Sequence, residues 1–204
     1  MKLGAQNLGG GRCEFTVWGP LLQEVAVKFL PEKKLIPLEQ DASGYWRGVV
    51  SGVKPGAAYV FRLDGQVERP DPASQDQPEG VHGPSRVVDH RGFEWSDLDW
   101  GGVPLNEMII YELHTGTFTP AGTFAAIIPR LPALRELGVN TIELMPVAQF
   151  PGARNWGYDG VYPFAAQHSY GGPEGLKELV NACHANGLAV VLDEIGRASC
   201  RERV

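Results

Sequence analysis

The sequence predicts a multidomain β plus α/β chain: a β-sandwich of the immunoglobulin type, then a parallel βαβαβ unit. Two observations carry that prediction. Up to about residue 90, short β-branched and aromatic runs alternate with turn residues at close spacing. From Met108 onward, apolar strand-like runs alternate with stretches of helical period. A hydrophobic share of 43% and a charged share of 21% are those of an ordinary globular chain.

Residues 1–92 make the sandwich. Phe15-Thr16-Val17-Trp18 forms a strand closed by Gly19-Pro20, and Val25 to Phe29 forms the next. Tyr45 to Val50 follows, then Tyr59 to Leu63, which runs into Asp64-Gly65, a pair suited to a hairpin turn. Trp18 and Trp46 are expected in the sandwich core. The stretch from Arg69 to Ser85 is too rich in proline and glycine for regular elements and reads as a surface connection. Residues 93–107 read as a linker.

Residues 108–193 make the α/β part. Met108 to His114 is a near-continuous apolar strand. Thr123 can cap a helix whose residues Phe124, Ile127, Ile128, Leu131, Leu134 and Leu137 share one face. Pro129 and Pro132 each remove a backbone donor inside it, so a kink or a helix in two pieces is expected, with Gly138 as the stop. Thr141 to Pro146 is the second strand. A long glycine-rich loop runs from Val147 to about Gly172, a helix from about Pro173 to Asn186, and a third strand from Leu188 to Asp193. Such a unit is right-handed with a parallel sheet. Parallel strands are buried on both faces, and a closed (β/α)₈ barrel takes about 250 residues, so the unit reads as incomplete.

The last stretch, Glu194 to Val204, shows neither apolar period nor turn logic. It resembles the conceptual translation of a sequencing-adapter oligonucleotide and is expected to be a non-native tail. The net charge is −6, and setting aside the tail's three arginines and two glutamates makes it one unit more negative. That balance argues against nucleic acid or an anionic membrane as partner. Met1 to Ala5 lacks the long apolar core of a signal peptide, and a cytoplasmic protein is expected. Cys13 and Cys183 fall in different halves and read as buried free thiols. His82, His90, His168 and His184 show no ligand spacing, so neither metal nor cofactor is expected.

Functional groups of parallel α/β sheets gather beyond the C-terminal strand ends. Three places qualify: Glu112 to His114, the long loop with Asn155-Trp156-Gly157-Tyr158-Asp159-Gly160, and Asp193. Loops of that length inside a compact domain are usually functional. Trp156 and Tyr158 beside glycines suit stacking on a sugar ring, with Asp159 accepting from hydroxyls; the alternative is a loop pinned by aromatic packing. His114 is either a polar pocket residue or a satisfied structural histidine. Glu112 and Glu143 sit inside strands and, if buried, are expected as hydrogen-bonded supports.

These stretches together resemble the α-amylase superfamily, glycoside hydrolase family 13. The resemblance rests on Phe15 to Pro20, Pro70 to Ser74, Gln77 to Ser85, Ile110 to Thr119, Ile142 to Val147, Asn155 to Val161 and Ser169 to Lys177. Within the family the chain is most similar to members that hydrolyse the α-1,4 bond next to the terminal trehalose of malto-oligosyltrehalose. Branching and debranching members share the N-terminal sandwich and the Trp-Gly-Tyr loop, and an α-glucan-binding module is a further alternative. The resemblance implies a (β/α)₈ barrel of which residues 108–193 hold strands one to three. It implies a retaining mechanism with an Asp nucleophile, a Glu acid/base and a supporting Asp after later strands, hence no catalytic residue and no activity in this chain. Tyr158 matches the family tyrosine that stacks on the sugar at the cleavage site. Asp193 matches the first residue of the strand-three motif, whose continuation is replaced from Glu194 onward. The implied substrate-binding set is Tyr158, Trp156, Asp159, His114 and Asp193.

Overall fold

The computed structural model describes residues 2–193, and the chain divides into two compact units between His90 and Arg91. Residues 194–204, read above as a tail, lie outside the described residues.

The first unit is antiparallel. Its strands are β1 (Gly4–Gly9), β2 (Arg12–Trp18), β3 (Val25–Leu30), β4 (Leu35–Pro37), β5 (Glu39–Gln40), β6 (Tyr45–Ser51), β7 (Ala58–Leu63), β8 (Val67–Arg69) and β9 (Ser85–Arg86). One sheet has the order β1-β2-β6-β5; the other has the order β4-β3-β7-β8, with β9 pairing on β7. Alternation along the strands explains the layering. Cys13, Phe15 and Val17 of β2 are buried in the same apolar cluster as Val25, Val27 and Phe29 of β3 and Tyr59 and Phe61 of β7. The two sheets therefore share one core, in which Phe15 meets Tyr59 edge-on at 5.0 Å and Phe29 at 5.7 Å. The chain turns after β7 at Asp64-Gly65, both at positive φ (48° and 68°), and the Gln66 N–H closes the turn on the Leu63 carbonyl at 3.0 Å.

Two expectations fail here. Trp46 is buried, its indole donating to the Gly19 carbonyl at 2.9 Å, but Trp18 is 59% exposed. Val17 faces inward, so the next residue of the strand must face outward, where Trp18 pairs across the sheet with Tyr45. The stretch from Arg69 to Ser85 is not a surface connection throughout. Asp71, Ser74, Asp76, Gln77 and Ser85 are all buried. Between the end of β8 at Arg69 and the start of β9 at Ser85 the segment has no strand ladder, so its side chains supply the missing partners. The Tyr59 hydroxyl donates to Asp71 at 2.6 Å, and the Ala73 N–H donates to the other Asp71 oxygen at 2.8 Å. The Ser85 hydroxyl donates to Gln77 Oε1 at 2.6 Å, while Gln77 Nε2 donates to the carbonyls of Gly80 and Gly83 at 3.1 and 3.2 Å. Composition signalled turns; it could not signal that the turns' polar groups satisfy one another in the interior.

The second unit comprises β10 (Ile110–Leu113), α1 (Thr115–Phe118), α2 (Phe124–Ile127), α3 (Leu131–Glu136), β11 (Thr141–Leu144), β12 (Ala148–Gln149), β13 (Tyr162–Ala166), α4 (Gly172–Ala185) and β14 (Ala189–Leu192). The sheet order is β10-β11-β14, all parallel, with Leu113, Leu144 and Leu192 level at the C-terminal ends. Leu113, Ile142 and Leu144 pack with Phe124, Ile127, Leu131, Leu134, Leu179 and Cys183 of the helices. The Thr123 side chain caps α2 by accepting from the Ala126 N–H at 3.3 Å. Ile128–Arg130 tightens into a 3₁₀ turn at Pro129, which separates α2 from α3. Leu137, placed on the apolar face by its period, is 73% exposed, because α3 ends at Glu136 and the chain turns away through Gly138. The loop after β11 is not structureless: β12 and β13 pair as a short antiparallel hairpin within it.

Residues 93–100 run along α4. Lys177 Nζ lies 5.6 Å from the Phe93 ring centroid, Ser96 N–H and Oγ donate to Asn181 Oδ1 at 2.9 and 3.1 Å, and His184 meets Asp97 at 2.5 Å. The His184 ring also stacks on Trp100 at 4.7 Å. These three α4 residues are spaced four and three apart, which puts them on one helical face. No helix of the described residues is long and apolar enough to cross a membrane.

Candidate functional site

The parallel register brings three chain segments to one edge. The Met145 N–H bonds the Leu113 carbonyl at 3.0 Å and the Asp193 N–H bonds the Leu144 carbonyl at 2.9 Å. His114, Met145 and Asp193 thereby leave adjacent strand ends side by side, and the long loop after β11 extends from the middle one.

Two of the predicted residues meet directly. The Tyr158 hydroxyl donates to Asp193 Oδ2 at 2.8 Å, across 35 positions of sequence. Both groups are accessible: Tyr158 is exposed and Asp193 half-buried. The hydrogen bond to Asp193, followed by partial burial and the charges of Asp193, Glu112 and Glu143, holds the phenol above its ordinary value. Tyr158 therefore stays a neutral hydroxyl, able to donate. Glu112 and Glu143 stand opposite each other in register on β10 and β11. Glu112 is exposed, so the burial on which a support role depends is absent there, while Glu143 is half-buried.

The loop's shape is fixed by Asn155 and Gly157. Asn155 Oδ1 accepts from the Gly157 N–H at 2.8 Å, and Asn155 Nδ2 donates to Asp159 Oδ2 at 2.7 Å. Asp159 thus spends one oxygen inside the loop and keeps the other. Gly157 sits at φ +103°, and a side chain there would collide with the Pro146 carbonyl oxygen. This glycine lets the loop cross close over the end of β11 with Tyr158 on the far side.

His114 performs a different task. Its Nε2 lies 2.8 Å from the Asn155 carbonyl and 3.1 Å from the Tyr170 hydroxyl, and its Nδ1 lies 3.1 Å from Thr117 Oγ1. A carbonyl only accepts, so Nε2 donates to it, and Nδ1 is paired with the Thr117 hydroxyl. Both ring nitrogens are engaged by protein groups. His114 is half-buried and fastens the loop to the end of β10. The Trp156 ring lies 6.5 Å from it, tilted by 46°, and is 72% exposed. Tyr170 is buried against Phe124 and Phe150 at 5.8 and 5.7 Å, and that burial raises its phenol above the ordinary value.

The predicted residues thus fall into two sets where one loop meets two strand ends: Tyr158 with Asp193, and His114 with Trp156, linked through Asn155 to Asp159. The sequence pattern does not single out Thr117, Arg154 or Tyr170. Tyr170 stands near the far end of the loop in Ser169-Tyr170-Gly171-Gly172, where an aromatic among glycines is the usable signal. Among the described residues, no group of three His, Cys, Asp or Glu side chains is arranged to hold a metal ion.

Comparison with known proteins adds three findings. Residues 84–200, more than half of the chain, match the family described as alpha amylase, catalytic domain. Relatives named malto-oligosyltrehalose trehalohydrolase, from Saccharolobus solfataricus and Deinococcus radiodurans, are 48% and 44% identical over 89% and 95% of this chain and 32% of each relative. A crystal structure of a Salmonella typhimurium protein described as an alpha amylase superposes with a TM-score of 0.90 at 43% identity, covering 94% of this chain and 32% of that one. The chain spans about a third of the length of the curated relatives it matches.

Proposed function

Because the chain belongs to the α-amylase catalytic-domain family, we propose that it is part of a retaining α-glycosidase that hydrolyses the α-1,4 bond beside the terminal trehalose of malto-oligosyltrehalose. The observation that carries this reading is the 48% identity to a malto-oligosyltrehalose trehalohydrolase along 89% of the chain. In this reading the first unit is an immunoglobulin-like sandwich, and β10, β11 and β14 are strands one to three of a (β/α)₈ barrel. Substrate approaches the C-terminal strand ends, as in other barrels of this kind. Tyr158 stacks on the sugar at the cleavage site and is aimed by Asp193. Asp159 accepts from a sugar hydroxyl with its free oxygen, Trp156 offers an apolar ring face, and His114 holds the loop that carries all three.

The nucleophile and the acid/base belong to later barrel strands, so this chain supplies binding groups and no catalysis. The partner is a malto-oligosaccharide in the cytoplasm, where the buried thiols Cys13 and Cys183 remain free. The test is trehalose release from malto-oligosyltrehalose by the longer protein that contains this segment, beside the 204-residue chain. Release by the first and none by the second is expected. Substituting Tyr158→Ala in the longer protein lowers kcat/KM by about a hundredfold if stacking and aim are both lost. A longer protein that cleaves maltoheptaose but frees no trehalose would sink the reading in favour of another member of the family.

A second reading concerns the first unit alone. Trp18 is 59% exposed and lies beside Tyr45 on the outer sheet face, a surface on which an α-glucan can stack. Titrating residues 1–92 with maltoheptaose decides it: an indole shift of Trp18 supports binding, and no heat or shift change ends it.

A further inference from the structure

Residues 150–161 join β12 to β13 outside any helix or strand, and they carry Trp156, Tyr158 and Asp159. The ladder beneath them is too short to set their course. The strand β12 has two residues, and the register jumps from Ala148 opposite Ala166 to Gln149 opposite Tyr162. The backbone groups at the stem of this connection therefore need partners from elsewhere.

Two buried glutamines supply them. Gln167 is 1% exposed and Gln149 is 2% exposed. Gln167 Oε1 accepts from the Phe150 N–H at 3.0 Å, and Gln167 Nε2 donates to the Gly152 carbonyl at 3.1 Å and to Ser169 Oγ at 2.9 Å. Gln149 Nε2 donates to the Phe150 carbonyl at 3.0 Å, while its Oε1 accepts from the His168 N–H at 2.9 Å. Side-chain amides thus hold both the N–H and the carbonyl of Phe150. The main chain of Gln167 adds further bonds: its N–H donates to the Val147 carbonyl at 2.7 Å, and its carbonyl accepts from Tyr170 and Gly172 at 3.1 and 3.2 Å. One residue so ties the start, the stem and the far end of the loop. Only Ala153 and Arg154 separate Gly152 from Asn155, whose carbonyl His114 takes. A primary amide suits the position because it accepts at one end, donates at the other and carries no charge. A carboxylate there would face the Gly152 carbonyl with no proton to give.

We propose that Gln167 is a positioning residue for the sugar-binding loop: its side chain fixes where Gly152 stands, and through the stem it sets the place at which Tyr158 meets the sugar. At 1% exposure it has no surface to offer a ligand, so it acts through the loop alone. The proposal rests on the α-glucan reading above and adds to it a residue that governs the site from beneath.

The test is a double-mutant cycle in the longer protein, read as kcat/KM for malto-oligosyltrehalose. Gln167→Met keeps the approximate volume and loses the bonds to Phe150 and Gly152. It should lower kcat/KM about tenfold, the worth of one buried hydrogen-bonding group left without its partner. In a Tyr158→Ala background the same change should cost less than about threefold, because Gln167 acts through Tyr158. Equal losses in the two backgrounds assign the glutamine to the fold alone and overturn the proposal. So does a Gln167→Met protein as active as the parent.

Gln167→Glu, closer in shape, covers the case in which Gln167→Met does not fold. Its carboxylate opposes the Gly152 carbonyl, whereas its protonated form donates there as the amide does. Its activity relative to the parent should rise as the pH falls from about 8 to about 5, and a flat ratio overturns the proposal. In the 204-residue chain, Gln167→Glu should move the Trp156 indole N–H resonance at neutral pH and leave those of Trp18 and Trp46 in place. An unmoved Trp156 signal overturns the proposal too. The function reading fails separately: a longer protein that cleaves maltoheptaose but frees no trehalose, with the Gln167 effect still dependent on Tyr158, defeats that reading only.

Discussion

Asp71 shows how far a single side chain can depart from what its neighbours in sequence suggest. Pro70 and Pro72 flank it, yet it is fully buried and joins Tyr59 to the Ala73 backbone. Burial pushes its carboxyl up to about 6 from 3.8, against the two hydrogen bonds that favour the charged form. An acid raised on folding binds its proton more tightly in the native state. Its charge therefore costs stability above pH 6, and the cost vanishes below pH 3.8. The stability of the parent relative to Asp71→Asn should fall between pH 4 and pH 7 by on the order of 3 kcal/mol, read by urea unfolding. A difference that stays flat across that range contradicts the assignment. Gly157 is the other position where one atom decides. At φ +103° with the Pro146 oxygen against it, Gly157→Ala should cost the second unit about 3 kcal/mol in chemical denaturation. The glycine was legible in the sequence as a flexible residue beside aromatics. Its necessity was not, because the obstacle, Pro146, comes from the end of β11.

At the scale of elements, α4 carries more than its apolar stripe. Leu179 and Cys183 face the core, while Lys177, Asn181 and His184 hold residues 93–100. Sequence periodicity found the helix and its inner face. It could not find the outer attachment, because the partners lie more than 80 positions upstream. His184→Ala removes both the Asp97 contact and the Trp100 stack. It should cost about 1 kcal/mol, speed hydrogen exchange in residues 94–100 and shift Trp100 emission to the red. Unchanged exchange there would mean that the segment is held by something else. The broken helix before β11 is the opposite case. Pro129 and Pro132 announce the interruption, the Thr123 side chain announces the start, and the observed α2, 3₁₀ turn and α3 follow from those local rules. Local chemistry was readable from sequence, while contacts between distant segments were not.

The whole molecule divides into units with separate apolar clusters, one between the sandwich sheets and one between the parallel sheet and its helices. A unit with its own closed core should fold without the rest. Residues 2–90 alone are expected to give a dispersed amide spectrum with a Trp46 indole in a buried environment. A collapsed spectrum would show that the sandwich borrows stability from residues beyond 90. The second unit differs in kind, because Ile109, Ile110 and Leu192 remain 48–58% exposed on the sheet. Alternation and the succession of strands and helices were readable at this scale, since both follow from residue period and connection length. The interior polar network of residues 71–85 was not, since nothing in a run of prolines, serines and acids says that its members satisfy one another.

The fastening of His114 to the Asn155 carbonyl bears on how this chain can be rebuilt. Anyone exchanging the loop after β11 for that of a homologue, to change which sugars enter, is moving a part whose anchor bolts lie elsewhere. His114 comes from the end of β10, Thr117 from α1 and Tyr170 from just before α4. A graft limited to residues 147–160 would arrive without them. The portable module is the loop together with those three side chains, and chimeras cut at its visible ends would land the right sequence in the wrong shape.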